Sequence, residues 1–174
     1  MEKEVPRMTD RKVHSESNFS RFNAYVFGAI VLAMLLAATY QFFGGSVGSD
    51  PASNTFLLVM AGIMAAIGIN FSTLQVAADD DGIEFGYGFI RQRVSWDRVE
   101  DASEDSTSAL MYGGWGIRLG RVGGRWRVVY NIPGYPRVVL RLGSGWYREV
   151  AISTSDPHRL LRVISSLNPS GEDD

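Results

Sequence analysis

The chain has 174 residues, with 17 Lys and Arg against 19 Asp and Glu, for a formal net charge of −2. It contains no cysteine and two histidines, His14 and His158, which lie far apart in sequence. Disulfides, thiolate metal centres and a cysteine nucleophile are therefore excluded, a multi-histidine metal site is disfavoured, and the near-neutral charge argues against a broad nucleic-acid surface.

Charge is unevenly spread. Residues 23–78 carry one formal charge, Asp50, whereas residues 79–168 carry 12 Arg against 11 Asp and Glu. Residues 1–22 are polar and of mixed charge, including Lys3, Arg7, Arg11, Lys12 and Arg21, and read as an unstructured cytoplasmic tail with no apolar leader. Two long uncharged runs follow, spans of about 24–43 and 56–78, each of the length that crosses a hydrocarbon core of about 30 Å. Gly44–Thr55, rich in Gly, Ser, Asp, Pro and Asn, reads as the exposed turn between them. Neither run shows the polar stripe that a helical hairpin of a soluble protein would need. Gly28, Gly62 and Gly68 offer close helix approach, and Asn70 and Gln75 offer bonds across the hairpin or to a partner helix. With no Asp, Glu, Lys or Arg inside either span, an ion path is not expected. Basic residues flank the hairpin on one side only, which predicts a two-pass cell-membrane protein with both termini cytoplasmic.

Asp79-Asp80-Asp81-Gly82 reads as a solvated charge run ending the second helix. Its EF-hand register fails, because Ile90 and not Glu stands at the twelfth position. Beyond it, period-2 patterns and turn residues predict strands. Ile83, Phe85 and Tyr87 fall on one face, Gly88 turns into Phe89–Val94, and Val99–Ala102 starts a third strand. Ser103–Ser108 reads as a mobile acidic loop. The next pieces are a pair of strands around Gly123-Gly124, a turn at Pro133–Pro136, Arg137–Leu142, and Trp146–Ser153. Ser155-Asp156-Pro157 opens a terminal helix, Asp156 as its N-cap, with Leu160, Leu161, Ile164 and Leu167 on one face. Asn168-Pro169 stops it, leaving residues 169–174 as an acidic tail.

The organising stretch is Tyr112-Gly113-Gly114-Trp115-Gly116-Ile117-Arg118-Leu119. Its glycines free the backbone for crowded geometry, two aromatics supply amphipathic bulk, and Arg118 supplies a planar five-donor fork. No lysine occurs in the domain. Arg118, Arg121, Arg125, Arg127, Arg137, Arg141 and Arg148 cluster between residues 118 and 148, and Arg125 and Arg127 share one strand face next to Arg118. An arginine-only set suits bidentate contact with carboxylate or phosphate, and it equally suits a solvated sheet face laced with salt bridges.

Three segments carry a family resemblance: Asp81-Gly82-Ile83-Glu84, Val94-Ser95-Trp96-Asp97-Arg98-Val99 and Tyr112-Gly113-Gly114-Trp115-Gly116-Ile117-Arg118. Through them, residues 79–168 resemble the bacterial and archaeal pleckstrin-homology-like (PH-like) domains that are joined to a transmembrane hairpin. The resemblance implies a membrane protein in which a two-helix hairpin precedes a mainly-β bent barrel of about seven strands with a C-terminal helix. It implies scaffolding or self-association, and it carries over no catalytic residue.

Searching the residues for chemistry gives the same direction. Gly113-Gly114-Trp115-Gly116 lacks the following Lys-Ser/Thr and the strand–helix setting of a phosphate cradle, and His158 sits in a helix's first turn rather than in a triad. Asp97 with Glu100 or Asp101 reads as a solvated acidic face. The expectation is a non-enzymatic, membrane-anchored interaction module with no cofactor or metal, bound to the lipid bilayer and to another membrane or cytoplasmic protein or to itself. Nucleic acid is not expected. The alternative is recognition of anionic lipid headgroups by the arginine-rich sheet face. Tyr112, Trp115, Arg118, Arg125 and Arg127 are the candidate interface or structural residues.

Overall fold

The computed structural model describes residues 13–43, 51–107 and 114–168. Strand β1 (His14–Phe19) pairs antiparallel with β2 (Thr73–Asp79), Phe19 opposite Thr73 and His14 opposite Ala78. Helices α1 (Arg21–Phe43) and α2 (Pro51–Asn70) lie between these two strands in the chain, so a helical hairpin is inserted into a β-hairpin. Both helices are long and apolar enough to cross a membrane. Only 11% of the apolar window of each is buried, so the hairpin leaves Leu32, Leu36, Phe43 and Leu58 uncovered. A core helix of a soluble domain would bury its apolar stripe.

Two sequence expectations change here. Residues 14–19, expected in an unstructured tail, form a strand. The second span does not run to residue 78: the helix covers Pro51–Asn70, and Thr73–Asp79 is a strand. In Thr73-Leu74-Gln75-Val76-Ala77-Ala78, the inward Leu74, Val76 and Ala78 are fully buried and Gln75 is exposed, the period of 2 that a half-buried strand requires.

β3 (Gly82–Tyr87) and β4 (Ile90–Ser95) continue an antiparallel meander of order β1-β2-β3-β4. The acidic run is the β2–β3 turn and not a helix end. Asp79 accepts the backbone N–H groups of Asp81 and Gly82 and the Arg93 guanidinium. A 3-10 turn (Trp96–Arg98) leads to the second sheet, β5 (Val99–Glu104), β6 (Gly116–Val122), β7 (Arg125–Asn131), β8 (Arg137–Leu142) and β9 (Glu149–Ser153), in the order β5-β8-β9-β7-β6. The β7–β9 pair is parallel and the other pairs are antiparallel. The described residues thus form nine strands in two sheets, four and five, and no closed barrel, where about seven strands in one bent barrel were expected.

The sheets enclose one core, in which Val76, Ile83 and Phe85 face Tyr130, Leu140 and Ile152. Helix α3 (Pro157–Leu167) covers it with Leu160 and Ile164, both essentially inaccessible. Its N-cap is as the sequence indicates: the Asp156 carboxylate accepts the Arg159 N–H at 2.9 Å, with Pro157 in the first turn.

The strand assignment of residues 73–79 is open to a direct check, because the chain is free of cysteine. In membranes opened to both aqueous sides, a Gln75→Cys variant is expected to react with a membrane-impermeant maleimide as fast as an Asp80→Cys variant. Labelling of the Gln75→Cys variant only after detergent solubilisation would restore the helix.

Candidate functional site

Three places on the fold concentrate unusual side chains. The first is the seam between the helices and the sheets. Ser20 and the pair Phe71-Ser72 connect the helices to the strands, and the Ser20 N–H donates to the Ser72 carbonyl at 2.7 Å. Fully buried Asn23 donates from Nδ2 to the Phe71 carbonyl at 2.8 Å, tying α1 to the end of α2. Asn70 Oδ1 accepts the Phe89 N–H from the β3–β4 turn at 2.9 Å. Gly88 in that turn has φ +47, and a Cβ there would collide with Asn70, so glycine is required on two counts.

Trp115 joins this seam. Its ring meets Phe27 of α1 edge-on at 5.2 Å and Phe71 at 6.5 Å, while Phe71 leans on Tyr87 at 5.4 Å. The Gly114 carbonyl just before it accepts from Asn131 Nδ2, and the Trp115 carbonyl accepts from Arg118 Nε. Of the three glycines read as helix-packing positions, only Gly68 is tightly packed, with Phe27 filling its missing side chain; around Gly28 and Gly62 there is open space. Asn70 bonds the sheet domain and not the facing helix, and Gln75 is in a strand. Tyr87, buried in the core with its hydroxyl donating to the Asn131 carbonyl at 2.8 Å, has its pKa pushed well above the usual phenol range by loss of hydration.

The second place is an ion network on the outer face of the five-stranded sheet. Arg127 Nη2 lies 2.6 Å from Glu149 Oε2 and Nη1 3.1 Å from Asp105 Oδ1, while Arg137 Nε lies 2.7 Å from Asp105 Oδ2. Arg137 also donates to Asn131 Oδ1 and to the Thr107 carbonyl. The Asp105 side chain is 1% exposed, so the run expected to be a mobile loop enters the outer face through a buried carboxylate. Beneath it Val129 and Ala151 are fully buried and Val139 nearly so. Burial alone would raise the Asp105 pKa. Hydrogen bonds from Arg137 and Thr107, with the Arg137 charge, outweigh it and hold the carboxyl below its ordinary 3.8.

The third is the end of the same sheet remote from α1 and α2. An open cleft of about 300 Å³ there is lined by Glu100, Arg125, Arg141, Leu142 and Arg148. Arg125 and Arg141 are about half exposed and make only loose ion pairs, at 3.8 Å to Glu149 and 3.5 Å to Asp101. Trp126 and Trp146 lie close by in sequence and are 49% and 67% exposed.

The residues singled out from sequence therefore part company. Arg118, Arg125 and Arg127 do share one sheet face, since Arg127 pairs with Gly120, Arg125 with Val122 and Arg118 with Val129. Arg127 is nonetheless buried in the ion network and belongs to the fold's interior. Arg125 is at the remote cleft, and Trp115 and Arg118 are at the seam. Tyr112 lies outside the described residues. Asp105 and Glu149 escaped sequence reading, and Arg137 was read only as one of the basic cluster, because partners 22 and 32 residues apart meet only through strand order. Among the described residues no cluster of three or more His, Cys, Asp or Glu is suited to a metal ion. Set against protein-family models, curated proteins and solved structures, the chain matches none of them.

Removing the shared carboxylate by Asp105→Asn leaves two buried guanidinium groups undercompensated, and a loss of about 3–5 kcal/mol is expected in denaturant unfolding of the full chain. The pH dependence gives its signature. A carboxyl with a lowered folded-state pKa stabilises at pH above its unfolded value of 3.8, and that stabilisation disappears as pH falls through the folded pKa. The wild-type loss in acid should be visibly shallower in the variant, and unchanged slopes would remove Asp105 from the account.

Proposed function

We propose that this chain is a two-span membrane protein whose PH-like, helix-covered double sheet serves as a non-enzymatic adaptor on the cytoplasmic side. The uncovered apolar surfaces of α1 and α2 support membrane insertion, and Arg21 at the start of α1 supports the cytoplasmic side under the positive-inside rule. The PH-like assignment rests on the four-stranded meander, the second sheet and the covering α3. The parallel β7–β9 pair and the count of nine strands depart from a seven-stranded bent barrel.

One observation carries the adaptor reading. The end of the domain remote from α1 and α2 carries two exposed tryptophans, Trp126 and Trp146, and near them in sequence three exposed arginines, Arg125, Arg141 and Arg148, that line an open cleft. Trp and Arg dominate the energetics of protein interfaces, and arginine forks fit carboxylates in pairs. A partner presenting an acidic segment matches this chemistry. The anionic-lipid reading fits the same arginines less well. β7 runs from Asn131, bonded beside Trp115 at the seam, to Arg125, six residues and about 20 Å further along the strand. Screening at physiological salt, with a Debye length of about 8 Å, weakens attraction from that distance to the bilayer holding the helices.

The test is purification of the tagged full-length protein from its own membranes, compared with a Trp126→Ala/Trp146→Ala variant. A near-stoichiometric protein partner is expected with wild type. Loss of a hot-spot tryptophan costs about 2 kcal/mol or more, roughly 30-fold in affinity, so that partner should be absent or strongly depleted with the variant. The tryptophans are about half exposed or more, so the unfolding transition should hardly move. A partner retained by the double variant would sink this surface, and anionic lipid alone in both preparations would favour the lipid reading.

A further inference from the structure

The β3–β4 turn carries the most exposed large apolar residue described: Phe89, at 97%. Isolated exposed hydrophobics are ordinary on soluble surfaces, but this one has company at one level of the molecule. Phe19 closes β1, Phe22 and Tyr25 lie in the first turns of α1, Ile69 lies in the last turn of α2, and Ile90 follows Phe89. All are between 45% and 76% exposed. The Asn70–Phe89 hydrogen bond fixes the turn beside the last turn of α2, one residue from Ile69.

Helix length decides what surrounds them. The 20 residues of α2 rise about 30 Å at about 1.5 Å each, equal to the hydrocarbon thickness of a bilayer and no more. No helix is left over to hold the sheets above the headgroups, and the connections of one and two residues add no height. We infer that the domain sits flush on the bilayer and that the β3–β4 turn, led by Phe89, is a third membrane contact, seated in the interfacial layer of the leaflet that α1 and α2 enter. The contact is continuous with the spans themselves. Trp115, held against Phe27 two turns into α1, occupies the same layer on the other side of the seam, where the amphipathic indole is at home. Arg21 and Arg91, both exposed at this rim, have phosphate groups within reach.

This inference rests on the membrane reading of α1 and α2, and the experiment separates the two. Single-cysteine variants Phe89→Cys, Leu36→Cys and Ser144→Cys of the full chain are labelled with an environment-sensitive fluorophore and reconstituted in phosphatidylcholine–phosphatidylglycerol vesicles containing lipids spin-labelled at shallow or deep acyl positions. The label at 36, mid-helix, should be quenched best by deep spin labels, and the label at 144, in the remote loop, by neither. The label at 89 should be quenched, and best by the shallow lipid. A label at 89 as unquenched as that at 144, with 36 still quenched, overturns the third contact alone. A label at 36 that escapes quenching overturns the membrane reading and this inference with it. Because Phe89 packs against almost nothing, its replacement leaves folding intact.

Discussion

The antiparallel pairing of β1 with β2 is the constraint on which the rest depends. It brings Phe19 opposite Thr73 and so closes a connection that contains the entire helical hairpin. A helix pair joined to a domain at one end by a single linker would pivot. Here both helices leave the same β-hairpin through one and two residues, and the Asn23–Phe71 and Ser20–Ser72 hydrogen bonds lock the two exits together. The Phe27–Trp115–Phe71–Tyr87 ring contacts then tie helix, second sheet and first sheet into one packed joint. The hydrogen bonds of that joint lie partly out of water, where losing a partner costs more than the bond itself stabilises.

How legible this was depended on whether a segment's local pattern agreed with its tertiary role. The apolar hairpin, β3 and the capped α3 were readable because their apolar positions and their burial coincide, and β4, β7 and β8 were readable from the turn residues that bound them. β1 was not. Its inward positions are His14, Glu16 and Asn18, so a strand signal based on alternating apolar residues is missing. His14 and Asn18 are buried all the same, and Glu16 accepts the Ser155 hydroxyl at 3.0 Å. β2 failed for the opposite reason. Leu74, Val76 and the alanines prolong the hydropathy of α2 with no break in charge until Asp79, so a count of apolar residues cannot see that a helix has become a strand. Such a boundary is written in the turn at Phe71-Ser72 and in the partner strand, and β1 supplies the partner from the far side of the hairpin.

The arginines show a different limit. From sequence, seven of them between residues 118 and 148 form one basic cluster, and face alternation groups Arg125 with Arg127. Strand order, with β9 inserted between β7 and β8, brings Glu149 beside Arg127, while Asp105 bridges Arg127 to Arg137. Two of the seven thereby become interior ions whose exchange for neutral residues disturbs packing before it disturbs binding. The charge open to a partner is carried by Arg118, Arg121, Arg125, Arg141 and Arg148, distributed between the two ends of the sheet. Charge counting over a sequence window overstates the functional patch whenever a fold uses arginine to bury its own carboxylates.

Under the proposed adaptor role, these constraints act together. With no flexible linker between α1, α2 and the sheets, any tilt or shift of the helices moves the domain as a body, and the displacement is largest at the end remote from the seam. That end carries Trp126, Trp146 and the arginine cleft. On the adaptor reading, a partner bound there would be held at a height set by the length of β7 and at an orientation set by the helix pair, and its binding would be coupled to the packing of α1 and α2 through one rigid path. Adding a flexible linker between Asn70 and Thr73 would leave both ends of the protein chemically unchanged and still break that coupling. In this fold the two-residue connection at Phe71-Ser72 therefore decides whether the helices and the sheets move as one body.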